Sequence, residues 1–295
     1  MASGTKSNKP PAKSAVKSGK TGKPRPSVVA TKPKPWGTII AIVAVVALAG
    51  VVFGYAYNKI SAKNAAQAAV EKYVPSDTNK DPSTQIPGVV VKQYPNGLHV
   101  NANQRVAYDQ SPPFGGPHDQ AWADCEGVVY PTAVRNENMV HALEHGTVWI
   151  AYNPDQVKGA DLDKLKLKVD GKPFMMLSPY PGLDHPVSLQ SWGHQLKVDK
   201  VDDERIDQFI TALNQNKYEY PEVGASCGSL ASEGLFDPAN PPKFDPSKPG
   251  KGAIPMSGEG ASNQGMQESQ GQATPTAPAS GSKSSAKTTT TKPSK

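Results

Sequence analysis

The stretch NENMVHALEHGTVWIAYN, residues 136–153, predicts a short helix followed at once by a β-strand. Asn136 can cap the helix, because its side-chain oxygen accepts hydrogen bonds from the first free N–H groups. Glu137 suits the positive end of the helix dipole, and Gly146 supplies the left-handed residue that ends the helix. Residues 147–153 then follow the pattern of a strand. A helix and a strand joined this closely favour a domain in which both elements share one core.

Further strand and helix patterns follow this stretch. Three segments carry strand-like runs: LDKLKLKVDG (162–171), FMMLS (174–178) and SLQSWGHQLKVDKV (188–201). Residues 202–214 place apolar side chains at helical spacing, with Asp202 or Asp203 as the cap. Because strands and helices are mixed without a regular alternation, the sequence predicts an α+β fold, in a single compact domain over residues 84–240.

Residues 36–57, WGTIIAIVAVVALAGVVFGYAY, contain no charged side chain. As a helix they would extend about 33 Å, enough for a hydrocarbon layer of about 30 Å, so we predict one transmembrane helix in the lipid bilayer. Trp36 at one end and Tyr55 and Tyr57 at the other suit the two membrane interfaces. A cleaved signal peptide is the alternative, but the apolar stretch and the basic region before it are longer than signal peptides usually have.

The helical pattern continues beyond the apolar segment. Residues 61–73 favour a helix that Pro75 ends, so we predict a juxtamembrane helix and linker over residues 58–83. Within the span, Gly50 and Gly54 form a GxxxG pair, which can join two helices into a homodimer and is also ordinary in membrane helices.

Two segments of low complexity flank these elements. Residues 1–35 contain nine Lys or Arg and no acid, and residues 241–295 are rich in Ser, Thr, Pro, Gly and Lys, so we predict that both are disordered. The net charge of +6 therefore describes a basic arm and predicts no nucleic-acid binding. The positive-inside rule places this arm in the cytoplasm and the domain outside the cell membrane. The arm suits anionic lipid or an acidic cytoplasmic partner, and the C-terminal tail suits contact with the cell wall.

The chain has two cysteines, Cys125 and Cys227, both in the predicted outer domain. An even pair in an oxidising compartment favours a disulfide. Closing a loop of about 100 residues would stabilise the fold by about 4–5 kcal/mol. In the alternative, Cys125 is a thiolate metal ligand close to His118, and the two interpretations exclude each other.

His141, Glu144 and His145 form the pattern H-x-x-E-H within HALEHG, residues 141–146. Histidines four apart on a helix differ by about 40° in direction, so both can bind one cation. The pattern is also that of the inverted zinc proteases, in which Glu144 would be the base for a zinc-bound water. Such an enzyme needs a third ligand on a later helix, and the later helix pattern begins DDERIDQF. Binding is therefore favoured over catalysis.

Other side chains can complete a metal site outside the membrane. His118 is the candidate third ligand, and at most one of Met175 and Met176 can face a site if both lie on a strand. Imidazole with thioether favours copper first and zinc second. The structural alternative is that His145 only closes the helix, where the dipole favours a protonated histidine, and that His141 is a buried hydrogen-bond donor.

Four stretches of the chain resemble the DUF3105 family of bacterial, largely actinobacterial, membrane-anchored proteins. They are YDQSPPFGGPHDQAWADCEGVVY (108–130), NENMVHALEHGTVWIAYNPD (136–155), MMLSPYPGLDHPVSLQSWG (175–193) and YPEVGASCG (220–228). The resemblance covers about residues 85–230 and implies no established activity. It places five residues on family motifs: His118, Cys125, His141, Glu144 and His145. His185 and His194 lie beside these motifs.

Three functional hypotheses follow from these patterns. The first is a membrane-anchored domain that binds copper or zinc through His141 and His145, with His118 and Glu144. The second is a non-catalytic scaffold of the cell envelope, in which the two tails make the contacts. The third is a zinc-dependent hydrolase with Glu144 as its base.

Overall fold

The computed structural model describes residues 35–261. Its helices are α1 (Trp36–Val70), α2 (Asn136–Glu144), α3 (Gly159–Val169) and α4 (Arg205–Leu213). Its strands are β1 (Val90–Val91), β2 (His99–Val100), β3 (Val106–Ala107), β4 (His118–Asp119), β5 (Glu126–Val129), β6 (Val148–Tyr152), β7 (Met175–Pro179), β8 (Val187–Ser191), β9 (His194–Val198) and β10 (Ile254–Pro255). Mixed helices and strands confirm the predicted α+β class.

Helix α1 contains the predicted apolar span. Among the described residues it is the helix that is long and apolar enough to cross a membrane, and its most apolar window has a mean hydropathy of 2.7. The helix continues to Val70, and a short 3₁₀ turn, Glu71–Tyr73, follows before Pro75. Residues 61–73 are therefore helical, as their pattern predicted, and their place beside a membrane stays a prediction. The orientation of α1 and pairing through Gly50 and Gly54 stay predictions.

A six-stranded sheet in the order β1-β9-β8-β6-β7-β5 forms the centre of the domain. Strand β6 pairs in parallel with β7 and antiparallel with β8, so Ile150 lies between Leu177 and Leu189. Side chains alternate between the two faces along each strand. Val148 and Ile150 pack in a core with α3 and α4, whereas Trp149 and Ala151 pack in a second core with α2.

Helix α3 replaces the strand that we expected over residues 162–171. Leu165 and Val169, one helical turn apart, are fully buried, while Leu167 between them is 76% exposed. A strand would have placed all three on one face. The alternation of Leu and Lys imitates a strand pattern, but the spacing of Leu165 and Val169 also fits a helix, and the flat surface of the sheet needs a helix to cover it. The other two strand-like runs do form strands: residues 174–178 contribute to β7, and residues 188–201 contain most of β8 and all of β9, which pair as a hairpin.

The ends of α2 show why this helix is short. Arg135, not Asn136, occupies the N-cap position, so the predicted Asn136 cap is wrong; no side-chain cap is made there. Gly146 follows the helix at φ +88°, and a Cβ atom at this position would lie 2.6 Å from a Tyr220 ring carbon. Glycine is therefore required both by the left-handed backbone and by the close packing. This confirms the predicted role of Gly146.

The ordered packing extends beyond both predicted boundaries of the domain, residues 84 and 240. Tyr73 is buried in the core beneath α4. At the other end, β10 pairs in parallel with β3, and the Arg105 guanidinium donates hydrogen bonds to Asp245. These contacts attach the flanking segments to the domain although their composition resembles a linker. The predictions for residues 1–35 and for most of 241–295 fall outside the described residues.

Candidate metal centre

Short strands and one helix bring three histidine rings together. Strand β2 pairs in parallel with β4, and the register places His99 directly beside His118. Helix α2 packs against β4 and adds His141 from its last turn. The ring centroids are 4.9 Å apart for His99 and His118, 4.7 Å for His118 and His141, and 5.2 Å for His99 and His141. All three rings are buried.

Two of these rings are oriented by backbone carbonyls. His118 Nδ1 lies 2.8 Å from the Gly116 carbonyl oxygen, and His141 Nδ1 lies 2.6 Å from the Asp119 carbonyl oxygen. Because a carbonyl only accepts, each Nδ1 carries a proton, which leaves Nε2 as the ring atom that could bind a metal. Neither Nε2 has a hydrogen-bond partner among the described residues. This arrangement, with one ring nitrogen anchored and the other bare, is the one found in histidines that bind metals.

Glu144 supplies a carboxylate to the same group. Its Oε1 accepts a hydrogen bond of 2.9 Å from the Gly97 N–H, while its Oε2 lies 2.8 Å from His118 Nε2. The second contact is short but does not have the geometry of a hydrogen bond, so His118 Nε2 and Glu144 Oε2 are both buried without a hydrogen-bond partner among the described residues. Burial alone would raise the pKa of Glu144, but the contacts with His118 and the Gly97 N–H lower it below its ordinary value. The carboxylate is therefore ionised.

Together His99, His118, His141 and Glu144 offer four ligand atoms within 4.8 Å of one another; we call these residues the inner group. Burial, and then the charge of His118, lower the pKa of both His99 and His141, the latter well below its ordinary value. Two imidazoles with lowered pKa and one ionised carboxylate give the inner group ligand types that suit a metal cation.

A second set of ligand atoms begins at His141 and reaches the surface. His141, His145 and Glu222, which we call the outer group, also lie within 4.8 Å of one another. His145 Nδ1 lies 2.5 Å from the Ser226 carbonyl oxygen, and its Nε2 is 3.1 Å from Glu222 Oε2. The Glu222 side chain is 32% exposed, whereas the His145 side chain is fully buried. The outer group therefore connects the buried histidines to solvent.

The segment that carries Glu222 and Ser226 is held by a disulfide. Cys125 and Cys227 are bonded to each other, and the Cys125 N–H also donates to the Cys227 carbonyl. The disulfide alternative is therefore correct for this structure, and Cys125 is not a thiolate ligand. The Glu222 N–H donates to the Glu144 carbonyl, so the segment is fixed both to the end of α2 and to Cys125.

The remaining histidines lie elsewhere. His194 forms a third set with Asp81 and Glu219, but its Nε2 makes a hydrogen bond of 3.2 Å to Asp81, so this set is satisfied as an ion pair. His185 is partly exposed, beside Asp184. That His185 and His194 take no part in the site stays a prediction.

The region that holds the inner and outer groups matches a known protein family. Residues 99–229 match the model of DUF3105, a protein family of unknown function. Residues 99–229 of the folded domain are a DUF3105 segment. Neither the curated proteins nor the solved structures gave a match to the chain. Every residue of the inner and outer groups lies within the DUF3105 segment, whereas Asp81 of the third set lies outside it.

The DUF3105 domain brings the four predicted candidate ligands together with two further residues. His118, His141 and Glu144 belong to the inner group and His145 to the outer group, while His99 and Glu222 were not among the predicted ligands. The local signal for His99 was weak, since only its two neighbours, Leu98 and Val100, are apolar. No pattern marked Glu222, because its place beside His145 depends on a long-range contact.

Met175 and Met176 face opposite sides of the sheet, as alternation along a strand predicts. Met176 packs in the core with α2, and Met175 packs in the core with α3 and α4. At most one of them faces the side of the sheet that carries the site.

Proposed function

We propose that the DUF3105 domain binds one divalent transition-metal ion through His118, His141 and Glu144, with His99 as a fourth ligand. One observation carries this proposal: buried ligand atoms of all four residues converge without hydrogen-bond partners among the described residues. Each buried, unsatisfied polar atom costs about 1–3 kcal/mol. A cation at their centre would satisfy all of them at once.

The donor types restrict the metal. Three imidazole nitrogens and one carboxylate oxygen suit zinc and copper(II), and they suit magnesium and calcium poorly. Two ligands of a tetrahedral zinc ion lie about 3.3 Å apart. The 2.8 Å between His118 Nε2 and Glu144 Oε2 is near this value. The usual affinity order of divalent metals places copper ahead of zinc.

The burial of the inner group favours binding over catalysis. Catalytic zinc sites keep an open coordination position for water and substrate, whereas structural sites are closed. Glu144 is fully buried, and the Gly97 N–H occupies one of its oxygens. A hydrolytic base must reach the substrate, and these contacts prevent Glu144 from doing so.

The same proposal includes a place in the cell. The apolar helix α1 supports anchoring by a single membrane span, and the basic residues before it support a cytoplasmic N-terminus. The Cys125–Cys227 disulfide supports a domain outside the cytoplasm, because structural disulfides persist in oxidising compartments.

Elemental analysis of the purified full-length chain tests the proposal. We expect about one copper or zinc ion per chain, lost in the double variant His118→Ala/His141→Ala. His185→Ala is the matched control, since His185 lies outside the inner and outer groups. Equal, substoichiometric metal in all three proteins would end the proposal. The chain should be purified without a histidine tag, which would bind metal itself.

Glu144→Gln separates binding from catalysis. If the protein only binds metal, this variant changes affinity and no activity is lost. A hydrolytic activity that Glu144→Gln abolishes while the metal stays bound would support the zinc-hydrolase alternative.

A further inference from the structure

His141 belongs to both groups, yet it can serve only one metal ion at a time. Its Nδ1 is bonded to the Asp119 carbonyl, which leaves Nε2 as the single ligand atom. One nitrogen has one lone pair and binds one ion. The inner and outer groups are therefore two alternative positions for the same ion.

The two positions differ in their access to solvent. Inner-group residues are at most 6% exposed. In the outer group, the Glu222 side chain is 32% exposed. Its Oε2 is nevertheless turned inward and is itself buried, without a hydrogen-bond partner among the described residues. A carboxylate with one end in water and a ligand atom inside is suited to receive a cation from solvent.

We infer that the outer group is a loading position for the inner group. A hydrated Cu²⁺ or Zn²⁺ ion first binds Glu222, then His145 and His141, losing water ligands in turn. It then exchanges Glu222 and His145 for His118, Glu144 and His99, while His141 remains bound throughout. The inference rests on the proposed function, and it adds the route by which the ion enters.

The fixed position of Glu222 supports this route. The Glu222 N–H is bonded to the Glu144 carbonyl, which links the two groups through the backbone. The disulfide at Cys227 holds the same segment, and Ser226 orients the His145 ring. Glu222 therefore stays near the end of α2 whether or not an ion is present.

Two tryptophans lie at different distances from the two positions. Trp122 contacts His145, with ring centroids 4.8 Å apart, and the shared His141 at 5.5 Å, so it reports the first binding step. Trp192 contacts His118 at 5.9 Å, so it reports arrival at the inner group. Bound Cu²⁺ quenches a nearby indole. Stopped-flow mixing of Cu²⁺ with the metal-free full-length chain should therefore show a fast phase that Trp122→Phe removes and a slower phase that Trp192→Phe removes.

Glu222→Gln tests the route itself. The neutral amide should slow loading by about tenfold or more, because the charge that attracts the cation is lost. Occupancy at equilibrium should stay within about twofold of the unmodified chain, because the inner group is intact. Glu233→Gln, an exposed glutamate outside both groups, is the matched control and should load at the normal rate.

Each other outcome rejects the inference for a stated reason. Normal loading in Glu222→Gln would show that the ion enters elsewhere. Loss of equilibrium occupancy in this variant would make Glu222 a ligand of the final site. No Cu²⁺ or Zn²⁺ binding by the unmodified chain would reject the proposed function as well, and equilibrium dialysis distinguishes this result from the other two.

Discussion

The two faces of the six-stranded sheet have different chemistry although the same strands form both. The face under α3 and α4 is aliphatic, with Val148, Ile150 and Leu189 in its core. The face under α2 has an apolar core as well, but the inner and outer groups lie next to it. The first face stabilises the fold. The second buries polar atoms of the candidate ligands, and the rest of the fold must offset the free-energy cost of removing these atoms from water.

Two histidines show the same contrast in detail. His194 shares the strand parity of Leu196 and Val198, so it lies at the rim of the aliphatic face, where its Nε2 is bonded to Asp81. His141, on the other side, has an Nε2 without a hydrogen-bond partner among the described residues. Both rings have an Nδ1 bonded to a backbone carbonyl. Only the occupant of Nε2 differs, and this difference separates a structural histidine from a candidate ligand.

The largest effect is expected from a truncation on the aliphatic face. Leu165→Ala should lower the free energy of unfolding by about 2–5 kcal/mol, because it opens a cavity beneath α3. Metal content per folded chain should not change. Urea unfolding of the full-length chain, combined with elemental analysis, measures both quantities.

Leu167→Ala is the matched control for this truncation. Leu167 is 76% exposed on the same helix, so its loss should change the free energy of unfolding by less than about 0.5 kcal/mol. Equal losses for the two variants would mean that residues 162–171 form a strand with both leucines on one face. A loss of metal in Leu165→Ala would mean that the two faces are not separate in function.

A smaller effect that depends on pH is expected at His194. Burial alone would lower the pKa of His194, but its bonds to Asp81 and the Trp192 carbonyl, with the charge of Glu219, raise it above its ordinary value. A raised pKa in the folded state stabilises the protein at pH values below the unfolded pKa of about 6.5, and this contribution is lost as pH rises through the folded pKa.

His194→Gln should therefore destabilise the protein more at pH 5.5 than at pH 9. The loss at pH 5.5 should be about 1–3 kcal/mol, the usual contribution of a hydrogen bond between charged groups. Urea unfolding at the two pH values measures it. An equal deficit at both values, or a larger one at pH 9, would contradict the ion pair.

Elements with a long periodic pattern were predictable from the sequence. Helix α1, the α2–β6 unit, β7, the β8–β9 hairpin and α4 were all expected near their observed positions. Helix α3 was not, because its alternating Leu and Lys fit both a strand and a helix, and only packing on the sheet decides between them. Strand β4 has two residues, too short for any pattern to appear.

The candidate site was half predictable for the same reason. His141, Glu144 and His145 are neighbours along one helix, so their spacing revealed them. His99 joins them through the pairing of β2 with β4, and Glu222 joins through a segment tied by the disulfide. Contacts between distant parts of the chain leave no local pattern in the sequence.

X-ray absorption at the metal edge tests the central claim most directly. With the full-length chain loaded with one equivalent of Zn²⁺ or Cu²⁺, we predict a first shell of nitrogen and oxygen at about 2.0 Å, with the outer-shell scattering of about three imidazoles. His118→Ala should remove one imidazole from this count. A first shell of water oxygens alone, or sulfur at about 2.3 Å, would contradict a histidine–carboxylate centre under α2.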